Sequence, residues 1–168
     1  MMRFLRYFAI TLAGIAVAAV ALIWEGTTLE SIFSIGDVPV IDFQTLQRGP
    51  NPNQYLLCPA KLCSAEADGT APVFDLPIDQ LQSAWSQMIA DQPHVQLLRR
   101  DITNMQIDYV QRSRLLHFPD LITVRFVPVD DTHSTLAIYS RSIYGKGDFG
   151  VNRERIGTWI AKLKARIG

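Results

Sequence analysis

The sequence is short of nearly every feature that announces a chemistry. Two cysteines in 168 residues are too few for a disulfide-rich scaffold or for a zinc site built from four thiolates. The three histidines, His94, His117 and His133, stand at no ligand spacing with those cysteines, so no metal and no cofactor is expected. A Walker pattern, a Ser-centred nucleophile elbow and a paired-carboxylate motif are all missing, and no catalytic residue is assigned. Net charge is missing too: 16 Lys and Arg balance 16 Asp and Glu, which argues against nucleic acid as a partner. There is no internal repeat and no low-complexity tract. Hydrophobic residues make up 48%, which excludes both a disordered chain and a multi-span membrane protein. What remains is the material for one small globular core.

One long apolar run is present. Tyr7 to Trp24 carries no charge over 18 residues. As a helix it would measure roughly 27 Å, close to a hydrocarbon core. Arg3 and Arg6 precede it and Glu25 and Glu30 follow it, so the positive side should stay inside. The expectation is a single-pass anchor in a bacterial inner membrane with the domain outside. A cleaved signal peptide ending near Ala19-Val20-Ala21 is the alternative, and it exports the domain equally.

Residues 28–71 show little periodicity and read as an irregular extension. The turn cluster Gly49-Pro50-Asn51-Pro52-Asn53 lies in it, with room for a short strand at Gln54 to Leu57. Cys58 and Cys63 lie in it as well, and in an exported protein such a pair is by default a disulfide. Residues 72–168 carry the order. Ile78, Leu81, Trp85, Met88 and Ile89 recur at helical spacing. Four strands follow, over 95–102, 105–115, 121–129 and 135–142, joined by short turns that favour antiparallel neighbours. Pro128 places its strand end at an edge or a bulge. A second helix over 152–167 presents Ile156, Trp159, Ile160, Leu163 and Ile167 as one stripe. The fold class expected is α+β: a four-stranded antiparallel sheet with two helices on one face, preceded by an N-terminal transmembrane helix.

Two constellations could bind something. Arg112 and Arg114 share a strand face by period two, Arg125 lies on the polar face of the next strand, and Arg141 ends the last. On an open sheet face these guanidiniums could hold a carboxylate, a phosphate or a lipid head group. Asp108, Asp120 and Asp148 could equally neutralise them. The second constellation is the loop with Gly145, Gly147 and Gly150 leading into Asn152 and Arg153. Backbone N–H groups there could hold an anion, or Asp148 and Asn152 could simply cap the helix. The readings that follow are an anion- or lipid-binding module, a small envelope hydrolase or transferase using Asp148 and Asn152, or an accessory subunit docking on a membrane-protein partner.

Three segments also carry a resemblance. Asn51-Pro-Asn-Gln-Tyr-Leu-Leu-Cys-Pro59, Arg112-Ser-Arg-Leu-Leu-His-Phe-Pro-Asp120 and Ser140-Arg-Ser-Ile-Tyr-Gly-Lys-Gly-Asp-Phe-Gly-Val-Asn-Arg-Glu-Arg-Ile156 together resemble the uncharacterised bacterial family known as domain of unknown function fourteen ninety-nine. The likeness covers roughly residues 50–165. Members often carry Cys-Pro followed by Pro-Asn-Cys, whereas Cys58-Pro-Ala-Lys-Leu-Cys63 is one residue shorter and lacks Pro-Asn. The resemblance implies an exported or membrane-associated protein and no known activity.

Overall fold

The computed structural model describes residues 29–168 together with Tyr7, Phe8, Thr11, Gly14 and Ile15. The chain divides into two units, Met1–Ser34 and Ile35–Gly168. In the first, the five described residues of the apolar run are helical, and a four-residue helix α1 spans Leu29–Ile32. Among the described residues no helix is long and apolar enough to cross a membrane. The expected transmembrane helix is therefore not an element of this structure. Most of the run Tyr7 to Trp24 lies outside the described residues.

The second unit holds six strands and two long helices. The strands are β1 (Gln54–Cys58), β2 (Gly69–Thr70), β3 (Val95–Asp101), β4 (Gln106–Arg112), β5 (Pro119–Pro128) and β6 (Ser134–Ser142). The helices are α2 (Ile78–Ala90) and α3 (Val151–Ile167). The sheet order is β2-β1-β6-β5-β4-β3. This corrects the expected four-stranded antiparallel sheet to a six-stranded mixed one. β3 to β6 form the antiparallel meander that the turn spacing predicts. β1 adds antiparallel to β6, and β2 pairs parallel to β1 through Leu57–Gly69 and Cys58–Thr70. Pro128 is the last residue of β5 and lies beyond the final β4 pair, Gln106–Arg125, where no ladder bond is lost on that side.

Both faces of the sheet are covered. On one, α2 and α3 pack Leu81, Trp85, Met88, Ile156, Trp159 and Leu163 onto Tyr109, Ile122, Val124, Phe126, Leu136 and Ile138. The rings of Trp85 and Trp159 meet edge to face with centroids 5.9 Å apart, and Phe126 meets Trp85 in the same way at 6.1 Å. Such geometry puts the positive ring edge on the negative face of its neighbour. On the other face lies a smaller core of Phe43, Leu46, Leu56, Cys58, Ala137 and Tyr139. It comes from the stretch that reads as an irregular extension. Irregular backbone can cover a sheet only if its polar groups find partners. Here Gln106 Nε2 donates to the Ile41 carbonyl at 2.9 Å, Ser64 N to that of Phe43 at 3.0 Å, and Arg48 Nη1 to that of Glu66 at 2.9 Å. A Cys58–Cys63 disulfide ties the end of β1 to the turn that follows it.

Trp159 is 2% exposed and lies between the two helices and the sheet. Trp159→Ala is expected to cost about 3–5 kcal/mol, read as a large drop in the chemical-denaturation midpoint. A variant melting with the parent would remove α3 from the core.

Candidate functional site

The helix-side end of the sheet carries a buried polar cluster centred on Asn152, which is fully buried in the first turn of α3. Its Nδ2 donates to the Asn53 carbonyl at 3.0 Å, to Ser142 Oγ at 3.1 Å and to Asp148 Oδ2 at 2.7 Å. Its Oδ1 accepts from Ser140 Oγ and Arg155 Nη1, both at 2.6 Å. Arg155 also donates to Gln111 Oε1 and Ser140 Oγ and pairs with Asp120 across the end of β5. That pair is nearly buried, with side chains 7% and 13% exposed. A buried ion pair persists only when further hydrogen bonds satisfy its remaining donors and acceptors, and these bonds do so. Asn53 completes the cluster by donating to the Gly145 carbonyl at 2.7 Å.

The glycine-rich loop is held by the same residues. Gly145 and Gly150 take φ of 86° and 81°, a region open to glycine at no steric cost. Gly150 sits at the N-cap of α3 and has no side chain to cap with. Asp148 replaces it from two residues back: Oδ1 accepts the Gly150 N–H at 3.0 Å and Oδ2 the Asn152 N–H at 2.9 Å. Burial pushes the Asp148 carboxyl up, but these N–H groups and the Asn152 amide outweigh it and hold the carboxyl below the usual carboxylate range. Both side chains that a hydrolase would recruit here are occupied by loop closure. Arg153 is exposed on a shallow depression of about 330 Å³ shared with Gln54, Asp68 and Asp148.

The four arginines of the sheet do not converge. The register sets Arg112, Arg125 and Arg141 on the face opposite the helices. Arg125 is four residues along β5 from Leu121, the partner of Arg141, a separation of roughly 13 Å. Arg114 is exposed in the turn after β4, because that strand stops at Arg112 rather than running to residue 115. Arg112 Nη1 donates to the His117 carbonyl at 2.9 Å. The expected counter-charges go elsewhere as well. Asp108 is taken by Arg99, whose Nε donates at 2.8 Å, and by Thr123 Oγ1 at 2.7 Å. Asp120 is taken by Arg155, and Asp148 by the loop.

Arg141 is left over. Its Nη1 and Nη2 are buried and meet no hydrogen-bond acceptor among the described residues. The guanidinium lies over the Tyr139 ring, 5.1 Å from the centroid, and Tyr139 itself donates to Gln54 Oε1. Burial pulls the group below the usual arginine range, opposed by Tyr139 and by the Asp108 carboxylate. A buried donor without an acceptor costs about 1–3 kcal/mol, and more when charged, whereas a cation–π contact returns about 0.5–2 kcal/mol. The stacking on Tyr139 therefore offsets only part of the cost of burying these donors.

The sequence pattern misses Arg155, Asn53, Ser140 and Arg99. A signal exists for the first: Asn152 and Arg155 precede Ile156 and Trp159 on the apolar stripe of α3, so two polar residues stand where the helix must be buried.

The model of a family described only as protein of unknown function (DUF1499) matches residues 59–163. No curated protein matches. Solved structures that match include the di-domain ARO/CYC BexL from the BE-7585A biosynthetic pathway, 13% identical with a TM-score of 0.44 over 58% of this chain and 44% of that one. A solution structure from Thermobifida fusca, also 13% identical with a TM-score of 0.44, matches over 69% of this chain and 93% of its own. Likeness of that degree carries no argument about activity.

Asn152→Ala is expected to cost roughly 2–4 kcal/mol, because it removes the buried acceptor of Ser140 Oγ and Arg155 Nη1 and one of the two donors to the Asn53 carbonyl. Asp148→Asn should cost about 1 kcal/mol at pH 7. A depressed carboxylate stabilises the fold above its ordinary value near 3.9 and loses that contribution as pH falls through its folded value. Denaturation midpoints of parent and Asp148→Asn should thus differ at pH 7 and draw together below about pH 4. A gap that stays constant with pH would contradict the capping role.

Proposed function

The chain belongs to the DUF1499 family of proteins of unknown function, which lends it no activity, and we propose that it is an exported module that binds a small anion through Arg141. The observation that carries this reading is the pair of buried guanidinium nitrogens without an acceptor. Guanidinium matches the planar geometry of carboxylate and phosphate, so the ligand class is an oxyanion, either free or as the head group of a lipid. The stacking of Tyr139 holds the cation in place, and Tyr139 in turn packs in the core with Phe43 and Leu46. Export is supported by the Cys58–Cys63 disulfide, which persists in oxidising compartments. Arg3, Arg6 and the uncharged run after them support placing the module at the outer face of a bacterial inner membrane.

The test is thermal unfolding of the full chain with inorganic phosphate, small carboxylates and glycerophosphorylglycerol, the soluble head group of phosphatidylglycerol, in turn. A ligand at a hundred times its dissociation constant should raise the melting temperature by about 5 °C or more. Arg141→Met keeps the apolar stem and removes the donors. Without ligand it should be as stable as the parent or more so, and it should not respond to any of the anions. Failure of all three ligand classes to shift the parent, or an equal shift in Arg141→Met, would refute the proposal. A response to glycerophosphorylglycerol alone would name the lipid head group as the source.

A further inference from the structure

A second surface, separate from Arg141, combines apolar exposure with basic charge. The turn between β4 and β5 and the loop between β6 and α3 lie at one end of the sheet. Ile143 N donates to the Pro119 carbonyl at 3.3 Å, and the rings of Phe118 and Tyr144 meet at 6.4 Å. From this end Leu115 is 79%, Leu116 52%, Tyr144 38% and Phe149 106% exposed. A soluble turn has no reason to present four large apolar side chains at one tip. Phe149 has a further peculiarity. Its φ of 53° lies in the left-handed region, which a bulky residue occupies only under strain. The loop accepts that strain and gains no packing from the ring. Strain kept without a structural return marks a functional position.

The exposed charged residues within these two loops are basic, Arg114 in one and Lys146 in the other, and Glu154 lies beyond them on the first turn of α3. No carboxylate occurs between Arg112 and Pro119. Between Ile143 and Gly150 the sole carboxylate is that of Asp148, which is turned onto the N–H groups of α3. Apolar and aromatic side chains rimmed by cations match the interface of an anionic bilayer, where rings and aliphatic groups enter the head-group boundary and Lys and Arg meet lipid phosphates.

We propose that this tip docks on the surface of an anionic lipid bilayer, with Leu115, Leu116 and Phe149 entering the head-group region and Arg114 and Lys146 on the phosphates. The contact is peripheral and uses none of the residues around Arg141, so either proposal can fail alone.

The experiment uses the full chain reconstituted in phosphatidylcholine vesicles, with or without phosphatidylglycerol. A cysteine replacing Leu115 or Phe149 carries an environment-sensitive nitrobenzoxadiazole label. A third label replaces Ile102, which is 84% exposed at the opposite end of the sheet. On anionic vesicles the Leu115→Cys and Phe149→Cys labels should shift to the blue and brighten by roughly twofold, and high salt should reverse this. The Ile102→Cys label should not change. Arg114→Glu with Lys146→Glu should abolish the response at Leu115→Cys. Labels that stay in water on anionic vesicles, respond equally without phosphatidylglycerol, or respond at Ile102→Cys as well would overturn the proposal. A shift that grows with protein concentration in detergent alone would assign the tip to self-association and overturn it too.

Discussion

A single amide, that of Asn152, holds the domain closed at one end. It joins the start of β1, the end of β6, the glycine-rich loop and the first turn of α3 through five hydrogen bonds of its side chain. It fixes the path of the loop together with Asn53 and Asp148, since Gly145 and Gly150 impose none by themselves. Its fit also orders Arg155, which then consumes Asp120 and Gln111. A buried polar network is stabilising only when every member is satisfied. The two helices therefore sit on the sheet with a polar lock at one end and a tryptophan pair in the middle.

The domain treats two of its arginines in opposite ways. Arg155 lies among four acceptors from four different segments, while Arg141 has an aromatic face and no acceptor at its terminal nitrogens. They belong to opposite faces of the sheet at the same end of β6. A fold that supplies so complete a set of partners to one guanidinium has the means to supply them to another. That contrast singles out Arg141 as a cation on the covered face whose terminal nitrogens meet no acceptor among the described residues.

Legibility in the sequence followed locality. The helices were readable because Leu81, Trp85 and Met88, and Ile156, Trp159 and Leu163, repeat at the period of a helix that buries one side. The meander was readable because each strand pairs with its neighbour through a short turn. The remaining strands obey neither condition. β2 is two residues long, and β1 finds its antiparallel partner 81 or more residues away, 85 in the pair Tyr55–Ser140. Nothing in residues 35–52 alternates, so the second core under Phe43 has no periodic signature. The candidate site divided in the same way. Residue types on one strand could be set on a face, but which acid meets which arginine depended on register across three strands, and Arg114 fell off its strand by two residues.

The placement of β1 and of the Phe43 segment against β6 has a consequence for synthesis. These residues leave the ribosome first, yet the strand they lie on is completed only after a further ~80 residues, on the order of ten seconds later. Through that interval Phe43, Leu56 and the Cys58 thiol have no surface on which to bury. The opening part of the domain has to wait for β6, and through that wait Phe43 and Leu56 stay open to whatever binds the nascent chain.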